Sequence, residues 1–197
     1  MSIKIIGTNH LMSKEAIEGI LKDEAPDIIG IELCEFREAG ILDEKDIKEK
    51  KENSLLGKIT SKIQSKAKAE NLDYGSDMKA ALNYSIENNI PRVLVDMPIL
   101  KIQELFSKIP KEEQEGFAKE LTEFENESIK KEVNEEEVLI EMKSRYPIAF
   151  EFLVNMRNLY IANEISKTLR DNPDKRLVVI LGAGHVNNIN KLIGVIK

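Results

Sequence analysis

The segment that decides the fold is Arg176-Leu177-Val178-Val179-Ile180-Leu181-Gly182, an aliphatic run that ends in glycine. Runs with little alternation between apolar and polar residues are typical of strands that are covered on both faces of a parallel sheet. Three other stretches, Ser2–Gly7, Asp27–Leu33 and Arg92–Asp96, have the same character. Helical patterns separate them, which predicts an α/β fold with a central, mostly parallel sheet of about four or more strands flanked by helices.

Several helices can be placed between these strands. Ser13 is a candidate N-cap for a helix that ends before Pro26, and residues 78–86 carry the apolar face of another helix. Residues 148–169 predict one long, largely buried helix. The chain closes on a short helix or strand at residues 192–196.

Two charged regions interrupt this pattern, near residues 41–72 and 100–145. Neither region is enriched in glycine, proline or serine, so we expect helical insertions and not linkers. Within the second region, residues 111–141 hold 12 acidic and 4 basic residues, which predicts a solvated face. We expect residues 1–197 to form a single domain with these two insertions.

Composition excludes several classes of protein. The chain has 197 residues and a net charge of −6, which argues against a nucleic-acid-binding surface. One cysteine excludes an internal disulfide framework and a cysteine-rich zinc site. No apolar run approaches the roughly 20 residues of a transmembrane helix. We expect a cytoplasmic protein without a transmembrane segment.

Both histidines of the chain follow a predicted strand and a glycine. His10 lies three residues after Gly7, and His185 lies three residues after Gly182. The C-terminal ends of parallel strands form the ligand crevice of such sheets, so the two Gly-x-x-His turns could converge on one site. The alternative is that each histidine makes a hydrogen bond within a surface loop.

The second strand carries a carboxylate, Glu32, in an apolar setting. A buried carboxylate needs a partner, a hydrogen bond or a metal. The alternative is an edge position at which Glu32 reaches water. Nearby Cys34 is interpreted as structural, because carboxylates at positions 32 and 35 should raise the pKa of its thiol.

Three further polar residues have two interpretations each. Asp96 ends the third strand and is either a site residue or a helix N-cap. Asp77 lies in the first helical turn, where the helix dipole alone would favour a carboxylate. Arg157 interrupts an apolar helix face and either extends outward to solvent or pairs with a carboxylate or an anionic substrate group.

In this order, these elements resemble the TraB/PrgY (pheromone-shutdown) family, in the wider TIKI, erythromycin-esterase and ChaN-like group. The segments that carry the resemblance are Gly7-Thr8-Asn9-His10, Glu32-Leu33-Cys34-Glu35-Phe36-Arg37, Gly75-Ser76-Asp77-Met78, Val95-Asp96-Met97-Pro98-Ile99, Arg157-Asn158-Leu159-Tyr160-Ile161-Ala162 and Gly182-Ala183-Gly184-His185-Val186. The resemblance spans residues 5–189. It implies an α/β domain with a metal-dependent hydrolase site of peptidase or esterase type.

From the resemblance and the residues together we expect a site with assigned roles. The catalytic candidates are His10, Glu32, His185 and Arg157; the substrate-binding candidates are Arg37, Asp96 and Asn9; the metal candidates are His10, His185, Glu32 and Asp77. A mixed imidazole and carboxylate shell suits a divalent Mn, Co, Fe or Zn ion, and no organic cofactor is expected. A metal-free variant would use a histidine as general base. The substrate would be a peptide or a small molecule.

The sequence departs from the family at two positions that carry charge in relatives, here Met97 and Met156. An alternative function is therefore a binding or sequestering protein with reduced catalysis, for a peptide or small-molecule ligand. A nucleotide-binding turn at residues 182–185 is a third, weaker hypothesis, because Asn187 stands where a third glycine would be expected. The composition leaves a homo-oligomer open.

Overall fold

The computed structural model describes residues 2–42, 61, 64–70, 73–128 and 135–196. The predicted insertion near residues 41–72 therefore lies largely outside the described residues. Within the described part, four strands form one parallel sheet in the order β1-β4-β2-β3. The strands are β1 (Ser2–Thr8), β2 (Ile28–Ile31), β3 (Arg92–Leu94) and β4 (Arg176–Gly182). The predicted α/β class with a parallel sheet is confirmed.

Helices follow every strand, and several of them lie in succession between β3 and β4. They are α1 (Lys14–Glu24), α2 (Glu35–Leu42), α3 (Ser76–Glu87), α4 (Ile99–Ser107), α5 (Lys111–Ser128), α6 (Glu135–Arg145), α7 (Pro147–Phe150), α8 (Met156–Asp171) and α9 (Ala183–Ile196). Residues 64–69 are also helical. The predicted N-cap is confirmed, because the Ser13 hydroxyl accepts a hydrogen bond from the Ala16 N–H at 3.2 Å.

Apolar side chains cover both faces of the sheet. On one face, Ile17 and Leu21 of α1 and Leu82 of α3 pack against Ile31 and Ile180. On the other face, α8 and α9 pack against alternate residues of the same strands, as the apolar cluster Ile161, Ile165, Ile189, Leu177 and Val179. Because β4 is buried on both sides, its sequence has no polar alternation, which explains the pattern at residues 176–182.

Strand register brings the carboxyl ends of all four strands to one edge. Thr8 pairs with Gly182, and Ile31 pairs with both Ile180 and Leu94. The predicted strands 27–33 and 92–96 are shorter in the structure, ending at Ile31 and Leu94. The residues that follow these two strands turn polar side chains into a shared site, as described below.

The predicted long helix at 148–169 is not one regular helix. A π-helical turn, Glu151–Asn155, joins α7 to α8. In a π-helical turn each backbone hydrogen bond spans one residue more than in an α-helix, and such turns are frequent near functional sites. Arg157 and Asn158 come directly after it, in the first turn of α8. The last residues, 192–196, are the end of α9 and not a separate element.

The described part of the insertion near 100–145, residues 100–128 and 135–145, is mostly helical, as predicted, and is made by α4, α5 and α6. It has an apolar cluster of its own, made with α7 and the π-helical turn: Phe106, Ile109, Phe117, Met142, Ala149, Phe150 and Val154. Glu113 of α5 accepts hydrogen bonds from the N–H groups of Ile148 and Ala149, each at 3.0 Å, and so caps α7. No helix in the described residues is long and apolar enough to cross a membrane.

Candidate functional site

His10 follows β1 in a conformation that its sequence neighbours alone would not favour. Its φ angle is 61°, in the left-handed region that non-glycine residues rarely adopt. The N–H of Gly75, just before α3, donates to the His10 carbonyl at 2.7 Å and holds this conformation. Gly75 itself has φ 89°, which a glycine adopts without cost. Backbone strain of this kind is common at functional sites.

The ring of His10 is oriented by the start of α3. Its Nδ1 lies 3.3 Å from the buried Asp77 carboxylate, which also accepts a hydrogen bond from the Thr8 hydroxyl. The Tyr74 ring packs beside it, with centroids 5.4 Å apart. Burial would raise the pKa of Asp77, but the bonds from His10 and Thr8 lower it. Asp77 therefore stays ionised and fixes the Nδ1–H tautomer of His10.

The other ring nitrogen of His10 faces the end of β4. A side chain at Gly182 would place its Cβ 2.8 Å from His10 Nε2 and 3.3 Å from Glu32 Oε2. Close packing of two polar side chains against the backbone therefore favours glycine here, because a methyl group would displace the His10 ring. The same geometry shows that His10 and Glu32 share one site.

Glu32 is the centre of this site. Its side chain is only 3% exposed, so the alternative in which it reaches water is wrong. Oε2 accepts the N–H of Gly182 at 2.6 Å, and Oε1 accepts Nη2 of Arg157 at 2.5 Å. Burial would raise the pKa of Glu32, but the neighbouring His185, Arg157 and His10 and the hydrogen bond from the Gly182 N–H outweigh burial and hold the pKa well below its usual range.

His185 approaches Glu32 from the first turn of α9. Its Nε2 lies 3.5 Å from Glu32 Oε1, and its Nδ1 lies 2.5 Å from Oδ1 of the buried Asn158. An amide oxygen accepts but cannot donate, so Nδ1 carries the proton and Nε2 keeps its lone pair. Burial lowers the pKa of His185 to about 4, with Arg157 acting in the same direction against the opposing effect of Glu32. The ring is neutral at pH 7.

Arg157 connects these groups to Asp96. Its Nε and Nη2 bind the two Asp96 oxygens at 2.6 and 2.9 Å, and its Nη1 lies 3.4 Å from His185 Nε2. Arg37 also pairs with Asp96. The interpretation of Arg157 as a solvent-extended side chain is wrong, because it pairs with two buried carboxylates. Asp96 is not a helix N-cap either: Pro98 holds that position in α4.

One other sequence interpretation differs from the structure. The pKa of Cys34 was expected to rise. Burial does raise it, but hydrogen bonds from Arg37, the Arg37 charge and the Ile99 N–H outweigh burial and lower it overall. Asn9 is exposed, and its Oδ1 accepts the Leu11 N–H at 3.2 Å, so its described contact closes a local turn.

The structure therefore brings most of the sequence candidates together. The residues that share the site are His10, Glu32, Arg37, Asp77, Asp96, Arg157 and His185. The sequence motifs did not reveal the orienting roles of Asn158, Thr8 and Tyr74. A second polar residue directly after Arg157 in an apolar helix was the one available signal for Asn158.

The donor set was tested against the expected divalent metal. Two imidazoles with oriented Nδ1–H groups and one carboxylate are suitable ligands. As arranged, however, the described residues contain no group of three side chains disposed to hold an ion. Both Glu32 oxygens are engaged, Arg157 lies against His185 Nε2, and Asp77 contacts the far side of His10. In this arrangement the residues do not fit a metal, and the predicted metal stays a prediction.

Comparisons of the chain with protein-family profiles, with curated proteins and with solved structures give no match. The resemblance drawn from the sequence motifs thus stays a prediction, and the chemistry must be argued from the site. That site offers two neutral-capable imidazoles, an ionised carboxylate and a guanidinium at the carboxyl edge of a parallel sheet. Such groups can move a proton and stabilise developing negative charge.

Proposed function

We propose that the protein is a hydrolase of amide or ester bonds, acting on a peptide or a small molecule at the His10–Glu32–His185 site. The observation that carries the proposal is the matched orientation of two imidazoles. Each has its Nδ1 held by a buried side-chain oxygen, from Asp77 or Asn158, and each turns Nε2 toward Glu32. Two structural histidines would not need this shared arrangement.

His10 is the proposed general base. It takes a proton from water at Nε2 while the new hydroxide attacks the carbonyl carbon, and the Asp77 carboxylate stabilises the imidazolium that forms. The imidazolium then gives its proton to the departing amine or alcohol, which restores the neutral ring. An acid or base in this role contributes about 10²–10⁴-fold to the rate.

Arg157 and His185 have a different role in this proposal. The guanidinium of Arg157 faces the site with a fixed positive charge and stabilises the oxyanion of the tetrahedral intermediate. Neutral His185, whose ring is held by Asn158, orients the water or the substrate by hydrogen bonding. Arg37, partly exposed beside Asp96, is suited to contact an anionic group of the substrate.

The test is hydrolysis of a panel of 4-nitrophenyl esters and fluorogenic peptides by the wild type, His10→Ala and His185→Ala. We expect His10→Ala to lower kcat by about 10²-fold or more. Ser13→Ala, in the N-cap of α1 and outside the site, is the matched control and should keep the wild-type rate. Wild-type rates in both histidine variants would refute the hydrolase proposal.

A second candidate is a binding protein that keeps the pocket without turnover. The supporting observation is that four of the five N–H groups of the Arg157 guanidinium already have partners, on Asp96, Glu32 and His185, before substrate arrives. Tight binding of a peptide or small molecule, measured by calorimetry and accompanied by no turnover, would favour this function over the hydrolase.

A further inference from the structure

From these contacts we infer that Arg157 is the built-in cation of this site: its guanidinium takes the place that a divalent metal would need between Glu32 and His185. The inference deepens the proposed function and rests on it for the position of the site. The motifs predict a metal ion as the positive charge of the site, whereas the inference assigns that charge to the guanidinium of Arg157.

The contacts of Arg157 coincide with those that a metal would make. Nη2 binds Glu32 Oε1 at 2.5 Å, and Nη1 lies 3.4 Å from the lone pair on His185 Nε2. These are the carboxylate oxygen and the imidazole nitrogen that a zinc-like ion would require. A guanidinium and an ion cannot both use them.

Asp96 holds the guanidinium of Arg157 in this position. It binds Nε and Nη2 at 2.6 and 2.9 Å, a bidentate pairing that fixes the plane of the guanidinium. Its own side chain is fully buried and also accepts the Met97 N–H at 2.8 Å, so it cannot move aside with Arg157. The arginine is therefore anchored from behind and is not a mobile surface group.

The charges of this group also balance without an ion. Glu32 and Asp96 carry two negative charges, and Arg157 and Arg37, which pair with them, carry two positive charges; the third carboxylate, Asp77, pairs with His10 on the far side of that ring. Adding a divalent cation would leave a buried excess of positive charge beside Arg157, which is costly. Removing Arg157 would instead leave a negative site with an imidazole ready to bind a cation.

The experiment compares Co²⁺ and Zn²⁺ binding by the wild type, Arg157→Met and Arg37→Met. Arg37→Met is the matched control, because it removes the other guanidinium on Asp96 without vacating Glu32 or His185. We expect Arg157→Met to bind the metal on the order of 100-fold or more tightly than the wild type, given the strong repulsion between close charges at a partly buried site. Arg37→Met should bind no more tightly than the wild type.

Calorimetry gives the affinities, and the visible absorption of Co²⁺ reports imidazole coordination. The double variant Arg157→Met/His185→Ala should lose the gained site, which locates it. Circular dichroism checks that each variant folds; if Arg157→Met does not, Arg157→Gln, whose shorter side chain can still donate to Asp96 from the position of Nε but does not reach Glu32, replaces it in the same comparison.

Stoichiometric, tight metal binding by the wild type that is unchanged in the folded Arg157 variant would overturn the inference, as would a folded Arg157 variant that gains no site. Because the readout is binding, these results are independent of hydrolysis. A protein that shows the metal gain but no hydrolysis in any assay would keep this inference while the proposed function fails.

Discussion

Lowering the pH should destabilise the protein through His185 before Glu32 or Asp77 is protonated. The imidazole is held neutral in the folded state, where burial and Arg157 lower its pKa to about 4. In the unfolded chain the same group has a pKa of about 6.5. Protons therefore bind the unfolded state more strongly, and the stability that is present above pH 6.5 is lost as the pH falls toward 4.

The size of the effect follows from the difference between these two pKa values. Between pH 7 and pH 5, a group with this difference should remove about 2 kcal/mol from the free energy of unfolding, and about 3 kcal/mol once pH 4 is reached. The side chain of His185 is 14% exposed, so solvent screening is limited. Glu32 and Asp77 have lowered pKa values, so their contribution is lost only below about pH 4.

The assay is urea unfolding of the wild type and His185→Asn at pH 7, 6 and 5. Asparagine is the matched replacement, because its side-chain N–H₂ can stand in for Nδ1–H and donate to Asn158 without titrating. We expect the free energy of unfolding of the wild type to fall by about 2 kcal/mol over this range and that of the variant to stay nearly constant. Equal pH dependence in the two proteins would refute the assignment of a buried, neutral His185.

Three further variants test other contacts. Asp96→Asn should lower the free energy of unfolding by about 3 kcal/mol, since Arg157 and Arg37 lose their shared buried carboxylate; an unfolding curve that matches the wild type would contradict this. Gly182→Ala should fold, because the side chain of His10 can move away from the new methyl group, but kcat should fall by about 10²-fold as the ring is displaced; full activity would show that His10 is not held as described. Ser13→Ala should cost about 1 kcal/mol in thermal or urea unfolding, with kcat unchanged, and no loss would mean that the α1 cap is made by other groups.

Much of the fold could be predicted from the local pattern of apolar and polar residues in the sequence. The aliphatic run at 176–182 predicted its strand without error in either bound, because its buried apolar residues are bounded by Arg176 at one end and by Gly182 at the other. The bounds at 27–33 and 92–96 were too wide. There the chain bends at Glu32 and at Asp96, and both side chains turn toward the site. The π-helical turn at 151–155 was not predicted, since helical periodicity alone does not reveal one extra residue.

The sequence patterns identified the residues of the site but not the role of each residue. Glycine followed three residues later by histidine, after a buried strand, marked both His10 and His185, and a carboxylate in an apolar strand marked Glu32. Arg157 was marked in the same way, as a charge on an apolar helix face. Whether it faced water or a carboxylate depended on the rotation of α8 against the sheet, which no local pattern contains.

By itself, the sequence determined that this chain forms a parallel α/β sheet and that its polar residues lie where the strands end. Side-chain type is a local property, and the apolar runs that must be buried determine where each strand ends. Only the tertiary structure decided the partners: Asp77 behind His10, Asn158 behind His185, and Arg157 between Glu32 and Asp96. These pairs join residues 27 to 125 positions apart, so strand order and helix rotation select them.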